Sequence, residues 1–295
     1  MDVSIIIVNY NTYTLTIQCI DSIFEKTKDL SFEVILVDNA STDNSRKFFQ
    51  QDKRIKYIRS DENLGFGKAN NLGYKRAIGK YIFLLNSDTV LKNNAVKIFF
   101  DAAEKSPANI SCWGSLLLNA NNQYVHSFSK FPTISYDLYC EFIKVPLHKF
   151  FGLKLTNNQN ESNIKKSTIV DYITGADLFI RNSVVEKYGL FDPAYFMYYE
   201  ETDLQKRYKD NGFHSQLILG PEIIHLEGGS QGKKKKDLKR SLLILQSKLY
   251  YLKKWNNPYS YFCYRLLLLI FRIPFLILSH YKLSEKKQYL KLLLS

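Results

Sequence analysis

Apolar and polar positions over residues 1–118 alternate between two rhythms. Positions 3–8 are an unbroken, β-branched apolar run, as in a strand buried on both faces. Leu15, Cys19, Ile23 and Phe24 then recur at helical spacing. Further runs at 32–37, 55–59, 81–85 and 110–118 predict strands, and 43–50, 68–78 and 94–104 predict the helices between them. This order predicts an α/β domain with a mostly parallel, doubly wound sheet and helices on both faces. In such sheets ligands bind beyond the carboxyl ends of the strands. Asp38 and Asp88 both stand just past predicted strand ends.

The rhythm breaks over 119–168, which is rich in Asn, Lys and aromatic residues and reads as an insertion or mobile region over the site. Strand character returns at 169–180, helices are predicted at 183–188 and 200–210, and final strands at 216–219 and 222–225. Beyond position 236, Leu238, Leu242, Leu245, Leu249 and Leu252 line one side of a basic helix. Positions 259–278 are strongly apolar but contain Arg265, Arg272 and Pro274. An arginine near a bilayer centre costs at least ~2.5 kcal/mol, which disfavours a span. An in-plane amphipathic segment is expected, with a core-packing helical hairpin as the alternative.

Charge sharpens this picture. The 295-residue chain carries 41 Lys+Arg against 28 Asp+Glu, a net +13 that favours anionic partners. The excess is concentrated from Lys233 onward, so it points to a surface contact more than to a charged active site. No nucleic-acid motif appears, and no nucleic-acid partner is expected. Cys19, Cys112, Cys140 and Cys263 are scattered and read as free thiols. The chain opens without a signal-peptide pattern, so the catalytic part is expected to stay cytoplasmic.

Five segments carry candidate chemistry. In Asp38-Asn39-Ala40-Ser41-Thr42-Asp43, the first two side chains can bond a base or ribose, or the turn simply caps a helix. Asn63-Leu64-Gly65-Phe66-Gly67-Lys68-Ala69-Asn70-Asn71 links strand to helix; its glycines permit close backbone approach, and a helix start presents free N–H groups to an anion. Asn86-Ser87-Asp88 offers a carboxylate past a buried strand, suited to a hard cation that shares its shell with phosphate and water. Glu200-Glu201-Thr202-Asp203 opens a helix. Glu200 and Asp203 share a face and Glu201 points elsewhere, so different roles are possible; favourable placement near the helix dipole is the structural alternative. His225-Leu226-Glu227-Gly228-Gly229 ends a strand and can close over a metal or phosphate.

In order and spacing these segments resemble glycosyltransferases of family 2 with the GT-A fold, over about 4–230, and most closely the rhamnosyltransferase-like branch of bacterial surface polysaccharide synthesis. The matching elements also include Ile5-Ile6-Ile7-Val8-Asn9-Tyr10-Asn11, Gly175-Ala176 and Phe191-Asp192. The resemblance implies a GT-A catalytic domain at 1–230, with nucleotide-sugar binding over about 1–118 and the acceptor side over about 119–230, followed by a basic, amphipathic helical extension at 231–295. Val8, Asn9, Tyr10, Asp38, Asn63, Gly65, Phe66, Asn70, Asn86, Ser87, Gly175 and Ala176 would line the nucleotide-sugar pocket. Asp88 and His225 would hold a divalent metal, Mn2+ or Mg2+, Asn86 standing where the family's first Asp is usual. Glu201, where an Asp is usual, would be the general base of an inverting transfer, with Asp203 and then Glu200 as the next candidates. The implied donor is a UDP- or dTDP-sugar. The implied acceptor is a glycan or lipid-linked saccharide, met by an enzyme peripherally associated with the anionic inner face of the cell membrane.

Three other readings compete. A nucleotidyltransferase would carry a Gly-rich signature with a basic residue after the first strand, where Asn9-Tyr10-Asn11 stands instead. A non-enzymatic nucleotide or lipid binder and an inactive family member are the others.

Overall fold

The computed structural model describes residues 1–144, 161–226, 238–279 and 282–294. They fall into two compact units, one built from 1–131 with 161–226 and the other from 132–144 with 238–294.

The first unit is built on an eight-stranded sheet. Its strands are β1 (Val3–Asn9), β2 (Phe32–Asn39), β3 (Ile55–Ser60) and β4 (Tyr81–Asn86). After the short β5 (Thr89–Leu91) come β6 (Ile110–Gly114), β7 (Phe128–Ser129), β8 (Thr168–Val170), β9 (Tyr172–Ile173), β10 (Asp177–Arg181), β11 (His214–Leu217) and β12 (Ile223–His225). The sheet order is β3-β2-β1-β4-β10-β6-β11-β8. The β3-β2-β1-β4 half is parallel throughout, while β10 runs antiparallel to both its neighbours.

Both faces are covered, which explains the unbroken apolar runs. Ile5 and Ile7 pack to one side with Phe83, Phe99, Trp113 and Phe179, and Ile6 packs to the other with Ile35, Leu84, Ile180 and Leu204. Full burial of such a side chain contributes about 2 kcal/mol. Phe179 is stacked on Phe99 and Tyr81 at centroid distances of 5.5 and 5.1 Å, which locks β10 into the middle of the sheet.

Three elements differ from the pattern-based expectation. The third helix spans Gly65–Tyr74 rather than 68–78. It begins inside the Gly-rich segment because Asn39 and Asn63 accept from the N–H groups of Leu64 and Gly65. The strand expected through 118 stops at Gly114, where Ser115 turns its N–H and hydroxyl onto Asp177 at 2.7 and 2.6 Å. The stretch 169–180 is not one strand but parts of β8, β9 and β10, because its ends pair with different partners.

The second unit contains the helices Leu238–Trp255, Pro258–Leu278 and Leu283–Leu294, joined by the Ile134–Tyr139 helix and the turn Cys140–Lys144 that continues it. Leu245, Leu249 and Leu252 of the expected stripe are buried, as are Tyr264 and Leu268. Lys248 and the Tyr264 hydroxyl both close on Asp137 at 2.7 Å, so residues 132–144 belong with these helices. The insertion read over 119–168 is thus divided: 119–131 stays with the sheet, and 145–160 lies outside the described residues. No described helix is long and apolar enough to cross a membrane.

Candidate active site

The site is assembled at the carboxyl ends of the parallel strands. There β5 pairs antiparallel with β12, setting His225 opposite Thr89 and beside Asp88. The Asp88 carbonyl accepts from Leu226 N–H at 2.9 Å, which pins the end of β12 to this turn. His225 Nε2 lies 3.3 Å from Asp88 Oδ1 and 3.4 Å from Asn86 Nδ2. Both side chains are mostly buried, at 16% and 14% exposure, so they meet in a partly desolvated corner. Glu227, Gly228 and Gly229, read as a closing segment, lie outside the described residues.

On the nucleotide side, Val8 is half-buried and Tyr10 is 42% exposed at the end of β1. Asn9 and Asp38, read as direct nucleotide contacts, are wholly buried with their side chains already engaged. Asn9 donates to Ser41 Oγ at 2.9 Å and accepts from Thr12 and Thr16 at 2.9 and 2.8 Å. Thr12 in turn meets Ser87 at 3.2 Å. Asp38 accepts from Ser41 N–H at 3.0 Å and from the Tyr57 hydroxyl at 2.7 Å. These two side chains brace the turn at Ser41.

The Gly-rich segment also corrects the expectation of free N–H groups. Leu64 N–H donates to Asn39, Gly65 N–H to Asn63 at 2.9 Å, and Phe66 N–H to the Phe196 carbonyl at 2.9 Å. Asn70 is buried and caps the Phe66 carbonyl at 3.0 Å. The segment is therefore a junction between two loops. Gly65 has φ +78°, and a Cβ there would lie 2.0 Å from the Phe196 oxygen, so only glycine fits this contact.

The acidic helix Glu200–Asp210 is launched by two consecutive left-handed residues, Tyr198 (φ 72°) and Tyr199 (φ 70°). Such a backbone is strained for a bulky side chain, at roughly 1–3 kcal/mol each, and such strain gathers at functional sites. Glu200 is buried, with Oε2 lacking a hydrogen bond among the described residues, and packs near Gly67. Glu201 is half-buried beside Gly175 and Phe66. Burial raises the pKa of both carboxyls, and the Glu201 charge raises that of Glu200 further. Asp203 is fully buried, accepts from the Tyr195 hydroxyl at 3.3 Å and lies 4.0 Å from Arg207. It is closed off from solvent.

The two sides of the site meet at the turn that leads into β10. Glu201 flanks Gly175, the Ala176 carbonyl accepts from Asn86 N–H at 3.0 Å, and Asn86 faces His225 and Asp88. Sequence reasoning missed Gln205 and did not foresee what Asn39 and Asn71 bind. Gln205 is buried on the acidic helix, bonds both the N–H and the carbonyl of Ile173 at 2.8 Å, and donates to the Glu201 carbonyl at 3.0 Å. Asn39 ties β2 to Asn63 and Gly65. Asn71 was part of a recognised segment, but nothing in the linear pattern shows that it reaches Phe191.

A divalent cation can be fitted at Asp88 and His225. Their facing atoms, 3.3 Å apart, match the roughly 3 Å edge of an octahedron with bonds of about 2.1 Å. Among the described residues no third His, Cys, Asp or Glu joins them, so the other ligands would be diphosphate oxygens and water.

This sheet, interrupted by one antiparallel strand and bearing an Asp–His pair and a carboxylate-headed helix at its rim, is a GT-A glycosyltransferase fold. The chain belongs to glycosyl transferase family 2, whose profile matches residues 4–184. It is 30% identical over 112 residues to glycosyltransferase GlyG of Streptococcus pneumoniae, covering 37% of each chain. The matched region is thus little more than a third of that relative's length. Rhamnosyltransferase WbbL of Escherichia coli is 27% identical over 204 residues, 67% of this chain and 74% of that protein. The N-acetylglucosaminyl-diphospho-decaprenol L-rhamnosyltransferase of Mycobacterium tuberculosis is 24% identical over 218 residues, 68% of each. These matches place the chain in the rhamnosyltransferase-like branch. The crystal structure of GalNAc-T7 with UDP, GalNAc and Mn2+ superposes with a TM-score of 0.60 at 16% identity, over 88% of this chain and 49% of that one, which shows a shared fold.

Proposed function

We propose that this chain transfers a sugar from a nucleoside-diphosphate donor, UDP- or dTDP-linked, to a glycan or lipid-linked saccharide of a bacterial surface polysaccharide, with inversion at the anomeric carbon. The observation that carries the reading is the short path from Glu201 through Gly175 and Ala176 to Asn86, His225 and Asp88. The Glu201 carboxylate and the Asp88–His225 corner, on either side of one strand end, support a base and an anion-handling group at one site.

Glu201 takes the proton from the acceptor hydroxyl. It is half-buried rather than enclosed, and burial raises its pKa, both of which suit a base working near neutral pH. Glu200 is more deeply buried, with no hydrogen bond to Oε2 among the described residues; burial and the Glu201 charge raise its pKa, and it packs beneath Gly67. Asp203 positions Tyr195 and Arg207. Asp88 and His225 would hold a divalent cation, and such an ion would supply charge neutralisation for the departing nucleoside diphosphate. Val8, Tyr10, Asn63, Phe66 and Ser87 border the donor. The likeness to rhamnosyltransferases, one of them an N-acetylglucosaminyl-diphospho-decaprenol L-rhamnosyltransferase, supports a deoxyhexose donor and a diphospho-polyprenyl acceptor. Such an acceptor would be met by peripheral contact of the C-terminal helices with the anionic inner face of the cell membrane.

The test is a thermal-shift and product-release screen of nucleotide sugars with and without Mn2+. One donor class should stabilise the chain only with metal and release nucleoside diphosphate, and Asp88→Asn should abolish both effects. Metal-independent binding without turnover would leave a nucleotide binder, not a transferase.

A further inference from the structure

The Pro258–Leu278 helix is amphipathic in the reverse sense to a surface helix of a water-soluble domain. Tyr259, Phe262, Leu266, Ile270 and Ile273 follow one another at steps of three or four residues and are 78, 65, 50, 56 and 37% exposed. They form an apolar stripe roughly 21 Å long at 1.5 Å per residue. The helix has only two charged residues, and both turn into the helical unit. Arg265 donates to the Leu292 and Leu293 carbonyls and to the Tyr261 hydroxyl, and Arg272 pairs with Glu141. Polar side chains are thus spent inside while apolar ones face out. An unbroken patch of this kind on a folded surface marks a contact site.

We infer that this outer face lies in the headgroup–acyl boundary of an anionic bilayer. The inference deepens the membrane contact proposed above and rests on it. The neighbouring Leu283–Leu294 helix exposes Lys287 and Lys291 among Leu283, Leu290 and Leu294, with Lys282 exposed just before it, the lysine-and-leucine pattern of an interfacial helix. Described residues 238–294 carry eleven Lys and Arg against a single acid, Glu285. Anionic headgroups complement that charge, whereas a second copy of the chain would bring like charge to like. With both arginines turned inward, Arg272 onto Glu141 and Arg265 onto backbone carbonyls and the Tyr261 hydroxyl, the charge that argued against contact with acyl chains is kept off the contacting side.

The experiment is co-sedimentation of the full chain with phosphatidylglycerol-containing vesicles and with neutral phosphatidylcholine vesicles. Wild type should pellet with the anionic vesicles and release as salt is raised. Leu266→Glu with Ile270→Glu should weaken partitioning at least about ten-fold, since acidic groups replace buried methylenes. Its circular dichroism and nucleotide-sugar binding should stay at wild-type level, so the catalytic reading is scored separately. Leu266→Trp, a substitution that adds no charge, should be quenched by brominated lipid. Equal pelleting of wild type and the double variant, with no quenching, overturns this face while leaving membrane contact through another segment. Wild type that never pellets overturns the membrane reading as well. A dimer that the double variant abolishes, without vesicle binding, assigns the face to a second copy instead.

Discussion

The side-chain amide of Asn71 closes at both ends on the backbone of Phe191: Nδ2 donates to the carbonyl at 2.8 Å, and Oδ1 accepts from the N–H at 3.0 Å. Through this pair the helix behind the Gly-rich segment holds the loop that leads into the acidic helix. Asn71→Ala should cost about 1–3 kcal/mol, from two part-buried hydrogen bonds and the groups left unmatched. Asn71→Asp should be worse, because a carboxylate cannot donate to the Phe191 carbonyl. Melting temperature and kcat, measured on both variants, check this; equal stability of the two would show that the amide is not used at both ends.

Gly65 is the second fastening between the same loops. An alanine Cβ there would meet the Phe196 oxygen at 2.0 Å, on a backbone with φ +78°. Gly65→Ala should therefore separate Phe66 N–H from the Phe196 carbonyl. Transfer activity should fall more steeply than stability, since the displaced loop carries Tyr198 and Tyr199 into Glu200. A variant with wild-type kcat/KM contradicts this coupling.

Glu201→Gln should lower kcat by roughly 10²–10⁴-fold while leaving donor binding intact, the pattern of a lost base. Glu201→Asp, which restores the family's usual residue, should retain measurable transfer. Burial raises the Glu201 pKa, and a base works only when deprotonated. The acid limb of the kcat/KM profile should thus lie above the ordinary glutamate value of about 4.3. A limb at or below that value would assign the proton transfer elsewhere.

Asp177 is fully buried; Ser115 satisfies Oδ2, and Oδ1 finds no hydrogen bond among the described residues. Burial raises its pKa from 3.8 to about 7. A raised folded-state pKa stabilises the fold while the group is protonated, and that contribution is lost as pH climbs from about 4 through about 7. Asp177→Asn keeps an acceptor for Ser115 and removes the buried charge. Its melting temperature should match or exceed wild type, with a gain that grows between those pH values and levels off above them; 1 kcal/mol corresponds to ~2–4 °C in a domain of this size. A gain that shrinks with rising pH would reverse the sign of the argument.

The linear pattern determined the strand-and-helix alternation of the first half and its two-sided core. Period and burial are local properties: Ile5, Ile6 and Ile7 must alternate between faces wherever the strand is placed. It also marked Asp88, His225 and the Glu200–Glu201 pair, because acids and imidazoles at element ends stand out against apolar runs. Tertiary structure decided the rest. Strand β10 inserts antiparallel between β4 and β6, and only that pairing carries Gly175 and Ala176 between Glu201 and Asn86. The engagement of Asn9 and Asp38, the double grip of Asn71 and Gln205, and the joining of residues 132–144 to the C-terminal helices all depend on partners tens to more than a hundred positions away. Sequence periodicity shows which face of an element is apolar; which partner its polar groups meet, and hence whether Arg265 and Arg272 turn inward or outward, is settled only when separate elements are packed together.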